Sequence, residues 1–189
     1  MELKRVYSET RLSDLEHARL IHVLQVWQQK RKERRFPARA DLTPRDLLPA
    51  LSCVTLCRVV EDGDDFEVRL AGEEVRSAYG GDFRGKRLSH LAAEIGTSML
   101  EAYRNVARRG EAVLLTGSFE HSKDKLMRRE VLLMPLGRNE SQVDHILGAG
   151  TLLPLLDAPP HKHVAVASAQ TTTATENLSR SSVVSATLD

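Results

Sequence analysis

The sequence predicts an α+β domain in which two strands come first, helices follow, and three further strands end the fold. Residues 65–71 alternate apolar and polar side chains with the period of two of a half-buried strand, and 52–60 is a second strand-like segment. Residues 98–109 instead carry apolar side chains at helical spacing. Consecutive strands with the helices segregated in the middle of the chain are typical of the α+β class.

Residues 1–50 are expected to form a helical leader. Ser13 and Glu16 have the form of a capping box, so the first helix should begin at Ser13. Its apolar stripe includes Leu20, Leu24 and Trp27. Such a stripe can pack on the chain's own sheet or on the same helix of a second copy. Because the stripe is wider than one narrow contact requires, we expect a homodimer or partner interface at these three residues.

A second short helix should begin at Thr43. Thr43 can cap it, Pro44 suits the first helical position, and Asp46 favours the positive end of the helix dipole. The apolar residues expected on its buried face are Leu47, Leu48 and Leu51.

Residues 66–91 form a strand, a hinge, a short helix and a loop in our interpretation. Phe66, Val68 and Leu70 should share the buried face of the strand. We expect Gly72 to free the backbone between strand and helix, and Gly80 with Gly81 to end the helix where a positive φ is needed. The preceding segment 62–64, Asp-Gly-Asp, is a hairpin signal between the first two strands.

The rest of the chain completes the sheet. We expect a helix capped by Ser98, then strands at 112–121, 126–136 and 143–153. Beyond 156 the sequence is rich in Ser, Thr and Ala and poor in large apolar side chains. Such a segment buries too little surface to offset its ordering entropy, so we expect 157–189 to be a disordered tail.

The composition limits the classes of function. A formal net charge of +1 gives no overall attraction to nucleic acid or anionic membranes, and an aromatic content of 4% argues against base stacking. The apolar runs are too short to cross a bilayer, and no apolar segment follows the first residues as in a signal peptide. We therefore expect a cytoplasmic protein without membrane insertion.

The order of elements and several motifs resemble the PAS family, in its branch of small bacterial proteins with a helical leader and no attached output domain. The leader elements that carry the resemblance are Trp27 and residues 30–35, 37–41, 44–46 and 48–49. The matching elements after the second strand are Phe66, Arg69, Leu70, Gly72, Tyr79, Gly80, Asp82, Gly85 and Leu88. The similarity spans about 20–153.

The resemblance implies a five-stranded antiparallel sheet at 51–156 with helices inserted between its second and third strands. PAS domains sense small molecules, light or redox state in a pocket between sheet and helices, or mediate protein contacts. The apolar residues that this topology would turn inward are Val75, Tyr79, Leu91, Met99, Tyr103, Leu115, Leu133 and Ile146. These side chains could enclose an apolar or amphipathic ligand, or they could fill the space themselves.

The sequence argues against the two common PAS cofactors. A flavin photosensor of this class places a reactive cysteine in an Asn-Cys-Arg motif after the second strand, whereas Cys53 and Cys57 lie in the first strand. A haem sensor needs an axial histidine, and His90 and His121 are the candidates by position. A solvated histidine is the commoner role at such positions, so we expect neither flavin nor haem.

The basic run 30–35 has three interpretations. Arg31, Arg34 and Arg35 could contact a nucleic acid or a cyclic dinucleotide, they could form a docking surface, or they could end a solvated helix. Positive charge near a helix C-terminus is favourable in itself, and the second element of cyclic-dinucleotide receptors is absent. We expect the solvated helix end.

We find no catalytic or metal-binding motif in the sequence. The expected function is therefore a non-enzymatic regulatory adaptor that acts through a signalling partner or homodimerisation. A small-molecule receptor with its ligand in the pocket is the alternative, and anion or nucleic-acid binding through 30–35 is a weaker one.

Overall fold

The computed structural model describes residues 7–122, 125–139 and 141–154. The strands of its antiparallel sheet are β1 (Ser8–Thr10), β2 (Val54–Val60), β3 (Asp65–Ala71), β4 (Val113–Ser122), β5 (Lys125–Leu136) and β6 (His145–Pro154). Their order across the sheet is β1-β4-β5-β6-β2-β3. The α-helices are α1 (Ala18–Arg31), α2 (Glu73–Tyr79), α3 (Ala92–Ile95) and α4 (Thr97–Arg109).

The predicted fold class and element order are confirmed. Helices α2, α3 and α4 lie between β3 and β4, so they separate the second and third strands of the five predicted ones. The sixth strand, β1, was not expected. It pairs with β4 through only three residues, Ser8 to Thr10, and this short polar segment has no alternation that could have revealed it.

Helix α1 begins at Ala18, so the predicted start at Ser13 is wrong. His17 caps the helix, since its Nδ1 accepts a hydrogen bond from the Arg19 N–H at 3.2 Å. Ser13 instead lies in a short 3₁₀ helix, Leu12–Asp14, and the N–H groups of Glu16 and His17 donate to Glu130 Oε2, at 3.4 and 3.1 Å. A contact with a distant strand thus replaces the local capping box.

The leader folds over the chain's own sheet. Leu20 and Val23 are fully buried, Trp27 is 5% exposed, and the Trp27 Nε1–H donates to the Pro135 carbonyl at 2.9 Å. Leu24 is half-buried. The interface expected at Leu20, Leu24 and Trp27 is therefore corrected: two of these three side chains are in the core and unavailable to a second copy.

Residues Pro44–Cys53 form a 3₁₀ helix with the predicted cap. Thr43 Oγ1 accepts from the Asp46 N–H at 3.4 Å, and Asp46 Oδ2 accepts from the Thr43 N–H at 2.8 Å. Leu47 is buried and Leu51 half-buried, but Leu48 is 62% exposed. The error at Leu48 follows from the tighter 3₁₀ turn, which places fewer residues on each buried face than an α-helix would.

A β-bulge interrupts the alternation of β3. Leu56 pairs with Leu70 but Cys57 pairs with Val68, so Arg69 is the extra residue. Beyond a bulge each side chain points to the opposite face of the sheet. Leu70 is consequently 41% exposed instead of sharing the buried face of Phe66 and Val68.

The glycines of the central segment act in different ways. Gly80 ends α2 in the left-handed conformation with a φ of 78°, as predicted, whereas Gly81 has no positive φ. Gly72 has an ordinary φ of −67°. It is required for a different reason: a Cβ there would lie 2.4 Å from the carbonyl oxygens of Leu51 and Ser52.

Two further predictions concern the cap of the helix at Ser98 and the segment 157–189. Ser98 lies inside α4, which follows Gly96, and its Oγ accepts a hydrogen bond from the Tyr7 N–H at 3.2 Å, so the predicted capping role is wrong. The predicted disordered tail at 157–189 lies outside the described residues.

Candidate functional site

A small apolar cavity lies between the sheet and helices α2, α3 and α4. Its volume is about 70 Å³, several times the ~10–15 Å³ that one water molecule needs. The residues that line it are Cys53, Thr55, Cys57, Val68, Ala71, Val75, Tyr79, Phe83, Leu88, Leu91, Ile95, Met99, Tyr103, Arg129, Val131, Ala149 and Gly150. The space is small enough that a ligand would have few non-hydrogen atoms unless the side chains move.

The bulge in β3 helps to shape this cavity. Without the extra residue Arg69, the alternation from Val68 would direct Leu70 into the space. With it, the small side chain of Ala71 lines the cavity and Leu70 lies on the other face. A structural irregularity therefore leaves room where a regular strand would place a leucine.

The outer wall is a loop fixed to the edge of β3. The Gly85 N–H donates to the Val68 carbonyl at 2.8 Å, and the Leu88 N–H to the Phe66 carbonyl at 2.9 Å. These bonds cover the edge of the sheet and position Phe83 and Leu88 against the cavity.

Asp65 anchors the far end of the same loop. Its carboxylate accepts hydrogen bonds from the Phe66 N–H at 2.8 Å and from the Ser89 N–H and hydroxyl at 3.2 and 2.7 Å. Burial opposes its ionisation, but these hydrogen bonds and Arg87 outweigh it and lower the pKa of Asp65. The wall is thus tied to the sheet by a charged group that stays ionised.

Tyr103 forms the floor of the cavity with two side chains of β2. Its hydroxyl lies 3.4 Å from Thr55 Oγ1 and 3.9 Å from Cys57 Sγ. Burial raises the pKa of Tyr103 well above its usual value, so the phenol stays protonated. It is a neutral hydrogen-bonding group in a cavity that is lined mostly by apolar side chains.

The two cysteines of the lining are free thiols. Burial raises the pKa of Cys57 to about 12 and also raises that of Cys53. Because the thiolate is the nucleophile, neither side chain is activated for covalent chemistry in this arrangement.

Arg129 is the charged residue of the lining. It is 8% exposed, its Nε is buried without a hydrogen-bond partner among the described residues, and its guanidinium lies 4.8 Å from the centre of the Tyr79 ring. Arg129, Val75 and Gly150 also line an open groove of about 430 Å³ beside α2. The guanidinium therefore lies at the boundary between the cavity and the outer groove.

The structure brings together five of the eight side chains predicted to form a pocket. Val75, Tyr79, Leu91, Met99 and Tyr103 line the cavity. The other three are buried but lie outside its lining, namely Leu115, Leu133 and Ile146. Both cysteines and Arg129 were missed as lining residues. The sequence did contain a signal for Arg129. It lies two residues before Val131 and four before Leu133 on a predicted strand, and residues at that spacing share a face of the sheet.

The three arginines of the basic run do not converge on one site. Arg34 pairs with Asp41 at 2.6 Å, and this hydrogen bond lowers the pKa of that carboxyl. Arg35 donates to the Arg109 carbonyl, and Arg31 lies 5.5 Å from the centre of the Trp27 ring. Each side chain has its own contact within the domain. Anion binding at these residues remains an untested prediction.

The described residues contain no group of three or more His, Cys, Asp or Glu side chains placed to hold a metal ion. No helix in the described part of the chain combines the length and the apolar character that crossing a bilayer requires.

Comparison with known proteins gives a family match. Residues 15–151 match a family described as PAS domain. Similar solved structures include an RNA-binding light-oxygen-voltage receptor, at 18% identity over 79% of this chain and 39% of that one, with a TM-score of 0.46. Another is a light-oxygen-voltage protein of Rhodobacter sphaeroides, at 14% identity over 74% and 69% of the two chains and a TM-score of 0.41. The chain thus spans about two fifths of the receptor's length. No curated protein matches it.

Proposed function

The chain belongs to the PAS domain family, and from that premise we propose that it is a non-enzymatic sensory module whose input is a small molecule bound in the cavity. The single observation that carries this proposal is the cavity itself. Natural cores are packed to about the density of organic crystals, so a space of this size beside a bulged strand favours a bound occupant.

The leader gives less support to the adaptor function that the sequence favoured. A partner or dimer interface at Leu20 and Trp27 would require the leader to leave the sheet, and both side chains are buried there. We therefore propose reception of a ligand as the primary event. Contact with a protein partner would follow from it, on surfaces other than this buried stripe.

The size of the cavity limits the ligand. Pockets for drug-sized ligands measure ~300–1,000 Å³, and this one measures about 70 Å³. We propose an occupant with few non-hydrogen atoms, far smaller than a drug-sized ligand. A tricyclic flavin or a haem is much larger than this cavity and would fit only if the surrounding side chains moved far apart.

The first test is native mass spectrometry of the purified full-length chain. We expect a mass above that of the polypeptide that disappears on denaturation, and the same spectrum identifies any flavin or haem. It also shows whether the chain is a monomer or a dimer.

A thermal-shift measurement with a neutral probe, butyramide, tests the cavity directly. We expect saturating butyramide to raise the melting temperature by several degrees, since a ligand at a hundredfold excess over its Kd stabilises by ~2.7 kcal/mol. Ala71→Leu should abolish the shift because the added atoms fill the cavity. Ala40→Leu, which adds the same atoms at an exposed position, is the matched control. Equal shifts in the wild type and Ala71→Leu would contradict the proposal, and so would the absence of a shift in the wild type with both butyramide and its carboxylate analogue, butyrate.

A further inference from the structure

Arg129 is a charged side chain for which the described part of the chain supplies no carboxylate. It is 8% exposed and forms no ion pair with any described residue. An arginine keeps its charge under all ordinary conditions, and a buried charge without a partner is costly. The Tyr79 ring at 4.8 Å offsets a part of that cost, but the buried Nε–H still lacks an acceptor among the residues that the structure describes.

The two acidic residues that line the outer groove with Arg129 are engaged elsewhere. Glu74, in the outer groove, accepts two hydrogen bonds from Arg19 at 2.5 and 2.9 Å and one from Ser52 at 2.6 Å. Glu73 pairs with Arg76. Both carboxylates of the groove thus have other partners, and Arg129 forms an ion pair with neither of them.

The neighbour of Arg129 in sequence cannot compensate it either. Glu130 is fully buried on the opposite face of β5. There its carboxylate accepts hydrogen bonds from the N–H groups of Glu16 and His17 and pairs with Arg128 at 3.4 Å. Successive side chains of a strand point to opposite faces. The negative charge of Glu130 is thus directed to the leader, away from the cavity.

We propose that Arg129 is the anion-binding group of this site and that the ligand is a small amphipathic monocarboxylate. The carboxylate would pair with the guanidinium at the boundary with the groove, and the apolar part would lie in the cavity between Val75, Met99 and Val131. A planar guanidinium matches a carboxylate with two parallel hydrogen bonds. This inference rests on the proposed function, because it assigns the chemistry of the same cavity.

Butyrate and butyramide are the probes that test it, because they have nearly the same shape and differ in charge. Titration of the full-length protein, followed by calorimetry or ligand-observed NMR, should give tighter binding for butyrate than for butyramide. Arg129→Gln should weaken butyrate binding by about tenfold to a hundredfold, which is the usual effect of losing a charged hydrogen bond, and leave butyramide unchanged. Arg138→Gln removes the same charge from an exposed side chain and should bind both probes as the wild type does.

The outcomes separate this inference from the proposed function. If butyramide binds the wild type as tightly as butyrate, or if Arg129→Gln keeps the preference for the anion, Arg129 is not the anion-binding group, although the cavity is still a receptor site. If neither probe binds, the proposed function fails as well. Should Arg129→Gln not fold, Arg129→Lys keeps the charge but loses the two parallel hydrogen bonds. It should then show a reduced preference for butyrate, and an unreduced one would overturn the assignment.

Discussion

At the scale of single residues, the adjacent charged residues Arg129 and Glu130 of β5 are compensated to different degrees. Each has one buried atom without a hydrogen-bond partner in the described part of the chain, Arg129 Nε and Glu130 Oε1, but Glu130 also accepts hydrogen bonds from the backbone of the leader. Both would be costly in an apolar core without compensation. The compensation of Glu130 is internal and structural. Glu130 has backbone donors and a cationic partner, Arg128 at 3.4 Å, whereas no carboxylate among the described residues pairs with Arg129.

Asp46 gives a pH-dependent prediction at the same scale. Hydrogen bonds from the Thr43 hydroxyl and N–H, together with Lys30 at 3.1 Å, lower the pKa of Asp46 from 3.8 to about 2. Because the folded state holds the ionised form, the stabilisation is fully present above pH 3.8 and is lost as the pH falls towards 2. We expect the free energy of unfolding of the wild type to fall across this window more steeply than that of Asp46→Asn. Urea unfolding at several pH values measures this.

The control for that measurement is Asp64→Asn, a change at another exposed aspartate. It should retain the wild-type slope between pH 3.8 and 2. If Asp46→Asn and the wild type have the same slope, Asp46 does not stabilise the 3₁₀ helix through its charge.

Residue roles could be predicted from the sequence where they depend on near neighbours. The cap formed by Thr43, Pro44 and Asp46 was predicted because its partners lie within three residues. The cap at Ser13 failed because Glu130, more than a hundred residues away, binds the competing backbone N–H groups. Local patterns contain no information about such a partner.

At the scale of elements, the junction between β3 and α2 depends on the close approach of two backbones. The Cα of Gly72 faces the end of the 3₁₀ helix, and a Cβ there would lie 2.4 Å from two carbonyl oxygens. Backbone atoms cannot rotate away as a flexible side chain can. We therefore expect Gly72→Ala to lower the free energy of unfolding by about 1–3 kcal/mol, the usual cost of overpacking. Chemical denaturation measures it.

Gly81→Ala is the matched control for this change. It adds the same methyl group where no atom lies within 4 Å and the φ is not positive. Its free energy of unfolding should stay within ~0.5 kcal/mol of the wild type, as for most surface substitutions. A similar loss in both variants would show that glycine flexibility, rather than close approach, governs the segment.

The elements themselves were largely predictable, but their irregularities were not. Alternation located β3 and the glycines located α2, since both signals are local. The bulge at Arg69 was invisible because it arises from the pairing of β3 with β2, and it reversed the expected direction of Leu70. The cavity depends on this bulge, so the sequence indicated a pocket without its shape or its charged residue.

At the scale of the whole molecule, the leader and the sheet share one hydrophobic core. Leu20, Val23 and Trp27 belong to the same buried cluster as Leu132 and Met134 of β5. The sequence allowed the leader stripe to cover its own sheet or a second copy, and the width of the stripe favoured the second copy, because an amphipathic helix can satisfy either arrangement. Only the placement of the elements in space decides between them.

A shared core predicts a single cooperative unfolding transition. Trp27 is the one tryptophan of the chain, so its fluorescence reports on the leader, while far-ultraviolet circular dichroism reports mainly on the sheet and helices. We expect both signals to change at the same urea concentration, since coincident transitions are the mark of a two-state domain. Undocking the leader would expose Trp27, Leu20 and Val23 together and break the hydrogen bond to the Pro135 carbonyl. The free-energy cost of this exposure is a large part of the total stability of a domain, so the leader should not open while the rest stays folded. A fluorescence midpoint clearly below the circular dichroism midpoint would contradict this. The leader would then open as a separate unit, and its apolar stripe would be available to a second copy or a partner.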